Sequence, residues 1–146
     1  MGGWVVIPSG AEATLRKRKN CLSGITFDAG GLIALDRNDR RVIALLARAA
    51  ERGLRITIPA TALAQAIRNP ARQARLCRLI RQASTDLVPL DGPDATAAGR
   101  LLALTGTADI VDAHIVVCAM RTAQAVVTSD PDGLKRLSPR MPLVVV

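Results

Sequence analysis

Short apolar runs of four or five residues, each followed by a segment of helical periodicity, recur along this chain from Ser23 onward. That alternation constrains the fold more than any other feature. A strand that is apolar at every position must be covered on both faces, and strands joined through helices pair in parallel. The runs expected as strands are Ile25–Asp28, Arg55–Pro59, Leu87–Leu90, Ala125–Thr128 and Pro142–Val146. Between them the spacing predicts helices over Asn38–Arg52, Ala60–Arg68, Ala71–Ala83, Asp94–Leu104, Ile110–Thr122 and Asp132–Leu137. Asn38 suits the N-cap of the first helix and Gly53 its stop. Asn69-Pro70 divides the second helix from the third, because a residue before proline avoids the helical region. The expected product is an α/β domain with a mainly parallel sheet and helices on both faces. In open sheets of this kind, function collects outside the carboxyl ends of the strands.

A length of 146 residues fits one domain, and 49% hydrophobic residues supply its core. Aromatics are 1%, namely Trp4 and Phe27 among Phe, Trp and Tyr, so the core must be aliphatic. The same scarcity argues against a sheet that binds RNA by stacking bases on rings. Residues 1–23 lack a period and mix Gly, Pro, Ser and a basic run, and are expected as an N-terminal basic extension with little order. They carry Arg16, Lys17, Arg18 and Lys19 against Glu12, a net +3 out of the formal +8 of the whole chain. A basic chain concentrates polyanions around itself, although an Arg-rich composition by itself gives the same balance.

Cys21, Cys77 and Cys118 are odd in number and far apart, with no CxxC or local Cys/His grouping, so no zinc site is expected from spacing. Cys77 and Cys118 read as small core residues, in keeping with a reducing cytoplasm. No apolar run approaches the length of a membrane span, and no signal peptide is recognised, so a cytoplasmic location is expected.

The chemistry lies in the acids. Asp28 ends the first expected strand, where an acid has no packing reason, and Asp130 directly follows the fourth. Asp109 and Asp112 stand at the entry of the Ile110–Thr122 helix, one turn apart on the same side. If the first and fourth strands are neighbours, these carboxylates converge. Carboxylates at one point repel unless a cation compensates. Oxygen-only ligands favour a hard ion, Mg²⁺ or Mn²⁺. Such an ion binds a phosphate oxygen, activates water and stabilises charge in an in-line displacement. An acidic pocket with a basic exterior suits a phosphodiester nuclease. Against this, Asp109 and Asp130 also read as helix caps. Asp36, Asp39, Asp91, Asp94 and Asp132 read as surface or capping acids.

Ser129 and Thr128 are placed to position a water or phosphate, but no Ser/His/Asp arrangement supports acyl transfer. His114, the single histidine, lies two residues beyond Asp112 and so points elsewhere; it reads as a partly buried structural histidine, with a general base as the alternative. Gly30-Gly31 lacks the form of a nucleotide cradle. Arg68, Arg72, Arg75, Arg78 and Arg81 form a basic stripe, read either as a solvated face or as a track for RNA or an acidic partner.

Three segments taken in order resemble the PIN-domain family, and in particular the VapC-like ribonuclease toxins. Phe27-Asp28-Ala29-Gly30-Gly31-Leu32 is similar to that family's opening strand and first acid. Asp112-Ala113-His114-Ile115 is similar to its third acid, and Thr128-Ser129-Asp130 to its closing Thr-x-Asp. The resemblance spans about residues 24–146. It implies a three-layer α/β/α sandwich and Mg²⁺- or Mn²⁺-dependent endoribonuclease activity. It further implies a homodimer and a toxin held inactive by a cognate antitoxin. Asp28, Asp112 and Asp130 would hold the metal, with Asp109 and Gln65 completing the shell. Gln65 stands where the family usually has a Glu, and Gly133 where an acid is common. An uncharged Gln65 leaves a second reading open, a catalytically weakened RNA-binding or regulatory protein of the same fold.

Overall fold

A computed structural model describes residues 23–146. The extension expected over residues 1–23 lies outside the described residues apart from Ser23. In chain order the elements are β1 (Gly24–Phe27), α1 (Ala29–Asp36), α2 (Arg40–Glu51), β2 (Arg55–Pro59), α3 (Ala60–Ala66), a 3₁₀ turn (Pro70–Arg72) and α4 (Ala74–Arg81). Then follow β3 (Thr85–Val88), α5 (Gly92–Thr105), α6 (Ile110–Thr122), β4 (Ala125–Thr128), α7 (Pro131–Leu137) and β5 (Leu143–Val145).

The sheet is parallel throughout, in the order β3-β2-β1-β4-β5. The chain moves one way across the sheet from β1 to β3 and the other way from β4 to β5. With right-handed crossovers, that reversal places α1–α4 on one face and α5–α7 on the other, giving the α/β/α sandwich. α6 packs on β1 and β2, and α1 on β1 and β4. β1 and β4 are buried at every position. Phe27, Ile58, Val126 and Val127, with Leu32 of α1 and Ile115 and Val116 of α6, form the centre of an aliphatic core. The strand order reverses between β1 and β4, so a crevice opens beyond their carboxyl ends.

Several boundaries differ from the sequence expectations, each for a local reason. α1 replaces what reads as a connection after Asp28, since two adjacent glycines argue against a helix. They are required by close approach instead. A Cβ on Gly31 would stand 2.6 Å from the Val127 carbonyl oxygen of β4, and one on Gly30 would stand 2.1 Å from Ser129 Oγ. α2 is capped by Asp39, whose carboxylate accepts from the Arg41 amide at 2.8 Å, and not by Asn38, which takes a left-handed φ of 63°. The helix expected from Ala71 begins at Ala74. The buried Gln73 side chain ties off the preceding turn, accepting from the amides of Arg68 and Asn69 and donating to the Ala66 carbonyl. β3 lies two residues upstream of its expected place and stops before Pro89, which has no amide hydrogen to offer a neighbour.

The basic stripe is interrupted. Arg68 donates to the Ala64 and Ile67 carbonyls and so closes α3, while Arg75, Arg78 and Arg81 are exposed along α4. No single helix among the described residues is long and apolar enough to cross a membrane.

Candidate active site

The crevice beyond β1 and β4 is built from helix N-termini. Asp28 follows β1 and caps α1, its Oδ1 accepting from the Gly31 amide at 2.7 Å. Asp109 caps α6, accepting from the Asp112 amide at 3.0 Å. Asp130 caps α7, accepting from the Asp132 amide at 3.4 Å. The capping reading of Asp109 and Asp130 is therefore correct, and it is compatible with a site. A cap uses one carboxylate lone pair, and the rest of the group faces the crevice beside the positive end of a helix.

Thr128 joins two of these acids. Wholly buried, its hydroxyl lies near the Asp28 carboxylate and lowers that group's proton affinity, and it accepts the Asp130 amide at 3.0 Å. The register Phe27↔Val127 and the bond from the Asp28 amide to the Val127 carbonyl, 3.1 Å, fix the ends of the two strands side by side. Ser129 is exposed and lies over Gly30. An open depression of about 410 Å³ is lined by Thr107, Asp109, Asp112, Asp130, Asp132, Gly133, Arg136 and Leu137. Asp132, Thr107 and Arg136 were not singled out by sequence. Asp132 reads there as a surface acid, and nothing in the spacing of Thr107 or Arg136 marks them. Gly133 has a definite role, because a Cβ there would stand 2.6 Å from Asp112 Oδ2. An acid at that position would have to displace the Asp112 carboxylate. Gln65 is exposed near the end of α3 and is not among the residues lining the depression. His114 faces away from it and is wholly buried.

The electrostatics show that burial dominates and that the acids act on one another. Burial pushes the Asp28 carboxyl from its ordinary 3.8 up to about 6. Hydrogen bonds from Thr128 and the Gly31 amide pull it down, and the charges of Asp112 and Asp130 raise it further. Asp112 also rises to about 6, from burial first and then from Asp109 and Asp130. Both groups thus prefer a proton in the folded chain. For carboxyls with raised values the folded state binds more protons than the unfolded state between about pH 4 and 6. We therefore expect the metal-free chain to lose stability as pH rises through that interval, and to stay lower above it. For Asp28 the rise corresponds to roughly 3 kcal/mol, at about 1.4 kcal/mol per tenfold change. Urea unfolding at pH 4, 5, 6 and 7.5 in chelator measures it. A flat or rising profile would contradict the burial of these charges.

A divalent ion fits this donor set. Carboxylates from the starts of α6 and α7 line the depression with Arg136 as its one basic residue, and Asp28, which is not among the lining residues, feels the charges of Asp112 and Asp130 from the start of α1.

A parallel α/β sandwich with acids gathered where its strand order reverses defines a class of domain. The chain belongs to the PIN domain family, whose model matches residues 25–138. No curated protein matches the sequence significantly. Among solved structures, the chain is similar to VapBC2 from Rickettsia felis, determined bound to a DNA fragment from their promoter. That similarity has 16% identity and a TM-score of 0.58, and covers 82% of this chain and 96% of the other. It is also similar to FitAcB from Neisseria gonorrhoeae, at 17% identity and a TM-score of 0.56, covering 82% of this chain and 95% of that one. At these identities the likeness is one of fold.

Proposed function

We propose that this protein is a divalent-metal-dependent endoribonuclease and the toxin half of a toxin–antitoxin pair. The observation that carries the reading is the buried Asp28 at the end of β1, on which the charges of Asp112 and Asp130 act. Membership of the PIN domain family supports nuclease chemistry. The fold likeness to VapBC2 and FitAcB supports an antitoxin partner. A homodimer and a cytoplasmic setting belong to the same reading.

In this reading Asp28, Asp112 and Asp130 hold Mg²⁺ or Mn²⁺, with Asp109 and Asp132 beside them. When bound, the ion supplies the positive charge that stabilises a phosphodiester under attack and activates water. Thr128 orients the Asp28 carboxylate, and Gly133 leaves room for that of Asp112. Arg136 gives a bound phosphate a cationic contact, and the exposed Arg75, Arg78 and Arg81 of α4 draw in the polyanion. Ser129, exposed beside Gly30, would donate to a phosphate oxygen.

Incubating purified protein with total RNA, with and without Mn²⁺, and mapping the new ends tests the proposal. We expect discrete cuts that need both the metal and an intact Asp112, and that disappear in Asp112→Asn. Cleavage that persists in Asp112→Asn or in excess chelator would reject it. The second reading, an RNA-binding protein with weakened catalysis, draws on the exposed, uncharged Gln65. It predicts RNA retention without new ends.

A further inference from the structure

On the far side of α6 from the acidic depression, the fold assembles what sequence spacing alone did not suggest. His114 and Cys118 are one turn apart on α6, and Asp94 reaches them from the first turn of α5. All three are buried, and a ligand atom from each lies within 4.8 Å of the other two. Asp94 thus departs from the expectation of a surface or capping acid.

The outer contacts of this cluster are already in place. His114 Nδ1 is held by Thr61 Oγ1 at 2.7 Å, which directs Nε2 toward Asp94 Oδ2, 3.3 Å away. Asp94 Oδ1 is held by the Arg121 guanidinium, which leaves Oδ2 for the cluster. Histidines and carboxylates that bind metals characteristically have their other polar atom fixed in this way. Thiolate, imidazole and carboxylate together suit a borderline-soft divalent ion rather than Mg²⁺. One thiolate and one carboxylate also neutralise its charge.

We propose that Asp94, His114 and Cys118 form a second metal site, separate from the acidic depression, for a thiophilic divalent cation of the zinc class. Tetrahedral zinc sets sulfur and nitrogen ligands about 3.5 Å apart, so side-chain shifts of about an ångström close the cluster. Three protein ligands leave a fourth position for solvent, reached past the half-exposed Arg121. With metal, Nε2 would ligate, the histidine proton would sit on Nδ1 facing Thr61 Oγ1, and the Cys118 thiol proton would be released to solvent. Burial pushes that thiol up to about 11, so without an ion it stays protonated. A bound ion would pin α5 to the helix that carries Asp109 and Asp112.

Cobalt(II) is the probe, because a cobalt–thiolate bond gives a charge-transfer band in the near ultraviolet. Titrating the full chain with Co²⁺ should give that band together with tetrahedral visible bands, and Zn²⁺ should abolish both. Cys118→Ser should remove the charge-transfer band. The double variant Cys21→Ser/Cys77→Ser, in which Cys118 is the remaining thiol, should keep it. Thr61→Val should weaken Co²⁺ binding at least tenfold, in the range found when outer contacts of metal ligands are removed. Asp112→Asn should leave the spectrum unchanged. No thiolate band in the wild-type chain, or loss of the band in the double variant, would overturn the proposal, and so would its survival in Cys118→Ser.

Discussion

Replacing Asp28 with asparagine is expected to abolish RNA cleavage, by at least about a hundredfold, while making the metal-free protein more stable at neutral pH. The two effects have one origin. Asp28 is 7% exposed, and burial drives its carboxyl up to about 6. At pH 7.5 the folded chain must therefore hold a desolvated negative charge beside those of Asp112 and Asp130. Asparagine removes that charge and keeps a carbonyl oxygen, which still accepts from the Gly31 amide and caps α1. The upper bound on the gain is roughly 3 kcal/mol, the free energy that corresponds to the raised proton affinity. Urea unfolding in chelator at pH 7.5 reads the stability, and the appearance of new RNA ends reads the activity. An inactive but destabilised variant would mean that the Asp28 charge is compensated in the folded chain rather than a cost to it.

The second large effect concerns how α1 is seated. Gly31→Ala puts a methyl group 2.6 Å from the Val127 carbonyl oxygen and 3.0 Å from the Phe27 ring. The carbonyl belongs to the backbone of a buried central strand and cannot swing aside, so α1 must lift from β4. Overpacking of this kind costs typically 1–3 kcal/mol, and the backbone contact puts this case at about 3 kcal/mol. In a domain of this size that is a fall in Tm on the order of 10 °C. Lifting α1 also disturbs the amide that holds Asp28. The matched control is Gly99→Ala on the exposed side of α5, where nothing lies within 4 Å of the added methyl. It should stabilise by about 0.5–1 kcal/mol through helix propensity alone. Equal effects at the two positions would contradict the packing described for Gly31.

How much of this was legible in the sequence depends on whether the signal is local. β2, β4 and α6 carry continuous apolar patterns, and their positions follow from the residues they contain. The acids Asp28 and Asp130 were visible because each interrupts or ends an apolar run, where packing gives no reason for charge. α1 was hidden because its glycines are needed for contacts with Val127 and Ser129, residues about a hundred positions away. Asp94 was misread for the same reason. As a residue in a polar helix start it resembles a surface acid, and only the fold brings Arg121 and His114 to it. Gln73 likewise has no local mark of the turn it closes. Asp132, Arg136 and Thr107 line the depression because α6 and α7 begin at the same place, which no spacing rule within one helix reveals.

In the proposed function, oxygens from Asp28, Asp112 and Asp130 hold one hard divalent ion in the crevice beyond the carboxyl ends of β1 and β4. The most direct measurement is Mn²⁺ binding by electron paramagnetic resonance at pH 7.5, in which the bound ion loses the sharp signal of the free one. The wild-type chain is expected to bind Mn²⁺ at millimolar concentration or below, Asp28→Asn and Asp112→Asn each to lose most of that binding, and Cys118→Ser to keep it. Wild-type protein that leaves millimolar Mn²⁺ entirely free, or variants that bind as well as the wild type, would contradict it.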